Sequence, residues 1–290
     1  MNVKIATLAL LFVAALWGLT FPLIEASLKL QDPFLFVALR FTIASIPVLF
    51  YFFKHLTKEL LWAGIIIGAL NCGAFLTQTI GLQTTNASRA AFITGAYVLL
   101  IPFFSPLFKM EKPGRHEFLS AAICCVGLYV LTGCNIGKFT IGDLWILAGA
   151  FFIAISIIYI GRFSKNNLNP YMIAYSQIVM TAVFAWIFCP FFSEFHFAAL
   201  KNLNFLWALG ICGFFATIVA IVLQSKYQKY VSLQKTALIF SLEPIFAAGF
   251  DTCLTGMSPS FFTVIGGVII LISIIYLEVF KSKKDVLVKE

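Results

Sequence analysis

Three ionisable side chains stand inside apolar runs of this sequence, where a charge is costly. Glu243 lies in the middle of "TALIFSLEPIFAAGF" (236–250) and is followed directly by Pro244. Arg40 closes "PFLFVALR", and Glu25 closes "WGLTFPLIE". A carboxyl group in an apolar medium can exchange a proton, hold a cation or anchor a neighbouring helix by hydrogen bonds. A guanidinium stays charged, and its planar fork matches carboxylate or phosphate oxygens. Pro244 supplies no N–H and lets a helix bend beside the acid. Glu243, Pro244 and Glu25 are therefore candidates for coupling or gating, and Arg40 for contact with an anionic substrate group. A plain structural role stays open for each. Glu243 can be an internal hydrogen-bond partner, Arg40 an ion-pair partner of Glu25 or Glu243, and Glu25 a side chain reaching the interface.

Uncharged polar residues form a second layer. Asn71 and Gln78 are seven apart and share one helix face. With Trp17, Arg40, Tyr97, Gln177, Thr217 and Gln224 they are the candidate lining of a polar cavity. Single polar residues also stitch helices together, so the two roles compete at every one of these positions. Phe21 and Phe75, near Trp17, are candidates for an apolar pocket. Gly64, Gly68, Gly73, Gly266 and Gly267 read as sites of close helix packing. The seven Cys contain no CxxC pair, and the three His stand singly, so neither a metal site nor a disulfide is expected. No GxxxxGK[ST] loop is present, so neither ATP nor another cofactor is expected.

These residues need elements that hold them in a bilayer. Of 290 residues 61% are hydrophobic and only 11% charged, too few charges to cover a soluble protein of this size. Apolar runs between polar breaks give ten spans, at 4–25, 34–53, 60–81, 89–108, 117–135, 143–161, 171–192, 204–224, 234–251 and 260–280. The N-terminal run reads as an uncleaved first span rather than a signal peptide. The net charge of +8 lies in short gaps between spans, which is a topology signal and not a nucleic-acid footprint. With the N-terminus in the cytoplasm, alternation puts 15 Lys and Arg on the cytoplasmic side and 4 on the other, with Arg40 inside a span. That bias supports N-in/C-in topology with a basic cytoplasmic tail, "KSKKDVLVKE". The partners expected are the lipid bilayer and a small molecule, with a proton as one candidate coupling ion. Monomer and homodimer stay open.

Ten spans divide into two fives. "PFLFVALRF" (33–41) is similar to "PYMIAYSQI" (170–178), with Arg40 opposite Gln177. At a separation of 146 positions Gln78 meets Gln224, Asn71 meets Thr217, Asn86 meets Ser232, Tyr97 meets Glu243 and Pro113 meets Pro259. Halves with an odd number of spans insert in opposite directions. Two inverted repeats are thus expected, over 1–135 and 136–290, with a site near the midplane between them.

"AALWGLTFPLIEASL" followed by "DPFLFVALRF", "GLQTTNASRAAFITGAYVLLIPFFSPLF" followed by "EKP", and "TALIFSLEPIFAA" with its Leu-Glu-Pro triplet resemble the EamA-type branch of the drug/metabolite transporter superfamily. The resemblance covers essentially the whole chain. It implies an all-α polytopic membrane protein of ten helices in two inverted five-helix repeats, working by alternating access. It also implies cargo such as amino acids, nucleotide-like metabolites, cofactors or drugs, often exported. Glu25 departs from the pattern, since many members carry Lys near the end of the first span. The expected function is secondary transport of a small polar or amphipathic metabolite, amino-acid-like first, across a bacterial inner membrane, with export the direction that the likeness implies. A passive channel and a membrane-embedded transferase are the rival classes. The scattered His and short loops disfavour the enzyme.

Overall fold

The structure is a computed structural model that describes residues 3–85, 87–134, 140–165, 168–193, 197–255 and 260–287. Asn86, Lys138, His196 and Pro259, together with the last three residues of the tail, lie outside the described residues.

Most of the polar breaks seen in the sequence become helix caps. Helix α1 is Val3–Ser27, α2 Pro33–Lys54 and α3 Lys58–Gly81. The Asp32 carboxylate accepts the Leu35 N–H at 3.0 Å and Pro33 opens α2, where a missing N–H costs nothing. Thr57 caps α3 in the same way. The second half repeats the device. Helix α7 is Ile141–Lys165, and α8, Pro170–Phe192, starts with Pro170 and is capped by Asn169.

The fourth pass is two pieces, α4 (Ala87–Gly95) and α5 (Tyr97–Phe104), and α6 (Arg115–Leu131) makes the fifth. The eighth pass runs from Leu203 to Tyr230, as α9 (Leu203–Gly210), a π-helical segment (Ile211–Val219) and α10 (Ala220–Tyr227), closed by a 3-10 turn. The ninth is again two pieces, α11 (Leu233–Phe240) and α12 (Glu243–Thr255), and α13 (Phe261–Leu287) is the tenth. Seven described helices are individually long and apolar enough to cross a bilayer, and shorter helices make the remaining passes. The chain is an all-helical polytopic membrane protein.

Its polarity is that of a protein solvated by lipid. Leu8, Ile46, Phe50, Phe53, Trp207 and Ile275 are each more than half exposed, whereas Arg40, Gln177, Thr217 and Gln224 are buried. In water that arrangement would be unfavourable; in hydrocarbon the apolar exterior costs nothing and polar groups must turn inward.

The strongest packing joins the two halves of the chain: α3 lies on α7 and α8, α2 on α8, α6 on α13, and α1 on α12. Glycines permit the close crossings. A Cβ on Gly266 would sit 2.6 Å from the Gly127 carbonyl oxygen, and Gly64 and Gly68 face α8 at Ser176 and Met180. Gly266→Val should force α6 and α13 apart and cost about 1–3 kcal/mol, the range for overpacking. A lowered thermal unfolding midpoint of the purified protein in detergent checks this; an unchanged midpoint would show that the contact is slack.

Candidate functional site

The two divided passes break at matching positions. Ala87 and Leu233, which open α4 and α11, are 146 positions apart, and so are Tyr97 and Glu243, which open α5 and α12. Both breaks carry the same pair of tight backbone bonds: Ala96 N–H to Ile93 O and Leu99 N–H to Ala96 O in one, Leu242 N–H to Ile239 O and Ile245 N–H to Leu242 O in the other. The expectation of a continuous ninth helix bent by Pro244 is corrected here. The helix ends before Glu243, and Pro244 sits in the first turn of α12, where its missing N–H breaks nothing. The matching break at Ala96 has no proline, so proline is not what makes the breaks.

Beside the second break lies a cavity of about 60 Å³, lined by Trp17, Thr20, Phe21, Asn71, Phe75, Gln78, Ser156, Gln224 and Glu243 among others. Glu243 is 6% exposed, and among the described residues its carboxylate has no hydrogen-bond or ion-pair partner. It reaches the cavity because α1 lies directly on α12: a Cβ on Gly18 would meet the Glu243 carbonyl oxygen at 2.7 Å. Trp17, one residue before Gly18, donates its indole N–H to Ala216 O at 2.9 Å and packs edge-on against Phe240, with ring centres 4.9 Å apart.

The polar wall is tied together. Asn71 donates to Gln177 Oε1 at 2.9 Å and accepts from Ser156 Oγ at 2.7 Å. Gln177 donates in turn to Ser225 Oγ. Gln78 donates to Thr94 Oγ1, and Gln224 to Gln228 Oε1. Stitching and lining, posed as alternatives from sequence, therefore coincide at Asn71, Gln78 and Gln224: each side chain is bonded and also borders the cavity.

The other candidates stand elsewhere. Gln177 and Thr217 are behind the lining. Tyr97 is buried within electrostatic reach of Glu243, with Ser241 beside its hydroxyl, which makes no hydrogen bond of good geometry among the described residues. Arg40 is 1% exposed and pairs with neither Glu25 nor Glu243; it donates to Thr217 Oγ1 at 2.9 Å and lies over the Phe75 ring. Glu25 faces an open depression of about 590 Å³, and its carboxylate accepts the Ala87 N–H that opens α4. Glu111 does the same for α11, accepting the Leu233 N–H at 3.1 Å. Each hinged pass thus has its first turn held by a carboxylate from another element. Removing either cap, as Glu25→Ala or Glu111→Ala, should lower stability by about 1 kcal/mol, a typical cap value. Thermal unfolding of the two variants checks it, and no change in either would mean that water replaces the cap.

Thr20, Ser156 and Ile221 are lining residues that sequence did not single out. Ser156 is one hydroxyl in "FFIAISIIYIG", and only its bond to Asn71 separates it from a solitary packing serine.

Comparison with known proteins bears on this site. The model of the EamA-like transporter family matches the chain twice, over residues 4–133 and 140–278. The chain belongs to the EamA-like transporter family. An uncharacterized transporter of Archaeoglobus fulgidus is 32% identical to this EamA-like protein over 274 residues, 93% of this chain and 84% of that one. An uncharacterized transporter of Bacillus subtilis, YxxF, is 24% identical over 71% of this chain and 67% of its own. A crystal structure superposes with a TM-score of 0.78 at 19% identity, covering 97% of this chain and 98% of that one, which is a likeness of fold. The family and these relatives assign the EamA-like chain to membrane transport.

Proposed function

We propose that this protein is a secondary transporter that moves a small amphipathic metabolite, amino-acid-like in size and polarity, through the Glu243 cavity by alternating access. The observation that carries this is the pair of helix breaks at equivalent positions of the two halves, one of which places an unpartnered carboxyl group in the cavity. Broken helices meeting at a midplane site are how transporter folds free backbone and charge for a solute. The cavity is far below the roughly 300–1,000 Å³ of sites that hold small organic molecules, so a substrate enters only when helices part. We take residues 1–135 and 136–290 as inverted repeats in a bacterial inner membrane, N-in and C-in. The halves interlock through α3–α7, α3–α8 and α6–α13. Half-helices hinged at the breaks are therefore better moving parts than two halves rocking as blocks.

Trp17, Phe21 and Phe75 suit an apolar side chain; Asn71, Gln78, Ser156 and Gln224 suit polar groups. Glu243 would exchange a proton or pair with a substrate cation, and outward transport follows the family habit. The test is counterflow in proteoliposomes preloaded with amino acids, nucleosides and cofactors. Saturable exchange of one class supports the carrier. Flux that neither saturates nor shows trans-stimulation would replace it with a channel.

A further inference from the structure

Arg40 is a membrane-buried cation that no described carboxylate neutralises. It lies on α2, seven positions after Pro33, and among the described residues no carboxylate pairs with it. Its guanidinium has five N–H donors. Nε–H goes to Thr217 Oγ1 at 2.9 Å, and one Nη2 contact to Ala216 O is long, at 3.4 Å. The acceptors come from the π-helical segment, which approaches α2 at Gly213; a Cβ there would stand 3.1 Å from Arg40 O. π-helical turns recur at functional sites.

The repeat supplies an internal comparison. Arg40 corresponds to Gln177, and Thr217 to Asn71, so the Arg40–Thr217 and Asn71–Gln177 bonds are equivalent ties between the halves. At the twin position a neutral amide makes the tie and is satisfied at both ends, by Asn71 and by Ser225. Holding the helices together therefore does not require a charge at position 40. The charge also adjoins the cavity. Phe75, which lines it, covers the guanidinium at 4.6 Å, and Trp17, also in the wall, shares the Ala216 carbonyl with Arg40.

We propose that Arg40 is an anion subsite of the cavity, taking a carboxylate of an organic solute once the Phe75 ring moves off the guanidinium. A planar carboxylate fits the fork and uses the idle donors. Phe75 meanwhile offers the cation its π face, the partner it holds without a ligand. The subsite rests on the transport function proposed above, as the second pole of a cavity whose first pole is Glu243. A solute spanning both carries an anionic group toward α2 and a cationic or proton-donating group toward α12.

The test uses the full-length protein, wild type and Arg40→Gln, which copies the twin residue. Thermal unfolding is followed with free amino acids, with their C-terminal amides, and with chloride against gluconate as the buffer anion. The expected result is stabilisation of wild type by one or more free acids over the matched amide, with that preference lost by about tenfold or more in affinity in Arg40→Gln, the scale of a charged hydrogen bond. Should Arg40→Gln fail to fold, Arg40→Lys serves instead, keeping the charge without the fork and weakening but not abolishing the preference. Equal effects of acid and amide, a preference that survives in Arg40→Gln, stabilisation by chloride alone, or no effect of any acid would each overturn the subsite. Counterflow separates the two ideas. Exchange of carboxylate-bearing solutes at equal rates in wild type and Arg40→Gln removes the subsite and keeps the carrier. Arg40-dependent binding without exchange of any solute removes the carrier and keeps the subsite.

Discussion

Glu243→Gln should leave the protein in the membrane at wild-type level, unfold no earlier than wild type, and lose solute exchange by at least about tenfold, some 1.4 kcal/mol of barrier. The opposite signs follow from one observation. The carboxyl group is buried and has no partner among the described residues, so its removal breaks no tie and relieves the cost of burying an ionisable group. The amide has nearly the same shape, so the contacts of α12 with α1 persist, including the close approach at Gly18. What the amide cannot do is exchange a proton or neutralise a cation. Exchange by reconstituted protein, read beside thermal unfolding, checks this. Parallel loss of stability and exchange would make Glu243 a structural residue, and unchanged exchange would remove it from coupling.

The second large effect is expected on folding. Arg89, in the first turn of α4, grips Asp143 of α7 with both arms, Nε to Oδ1 at 2.8 Å and Nη2 to Oδ2 at 2.5 Å. Asp143 is wholly buried and also accepts the Thr140 N–H at 2.7 Å. Arg89→Ala would leave that carboxylate buried without its cation, which costs about 3–5 kcal/mol. Asp143→Asn removes the carboxylate and leaves the charge on Arg89, which is 17% exposed and can turn toward water, so the loss should be smaller. The double replacement should be milder than the sum of the two single ones, because neither charge is then stranded. Unfolding midpoints of the three variants provide the cycle. Strict additivity would mean that the pair is not coupled. Since α4 also depends on Glu25 at its first N–H, loosening it should bias the protein toward opening at that end.

The chain's sequence by itself determined that it is a ten-pass helical membrane protein of this family. Those signals are local and periodic: runs long enough to cross hydrocarbon, polar breaks that double as caps, and Lys and Arg in alternate gaps. It also offered a repeat correspondence that pairs Tyr97 with Glu243, and the two divided passes reopen at those residues. Part of the cavity was legible too. Asn71 and Gln78 share a helix face, and Phe21 and Phe75 do line the space beside Trp17.

Tertiary structure alone decided the rest. That both passes break, with or without proline, depends on backbone bonding at the point where they meet other helices. Which polar residue lines and which only stitches depends on helix rotation, a matter of packing between halves, and so Ser156 joined the wall while Gln177 stood behind it. Arg40 showed the same limit. Its sequence offered two acidic partners, but Glu25 was engaged by the Ala87 N–H and Glu243 faced the cavity from α12. Charge complementarity in a sequence names what can pair; only the distances between helices decide what does.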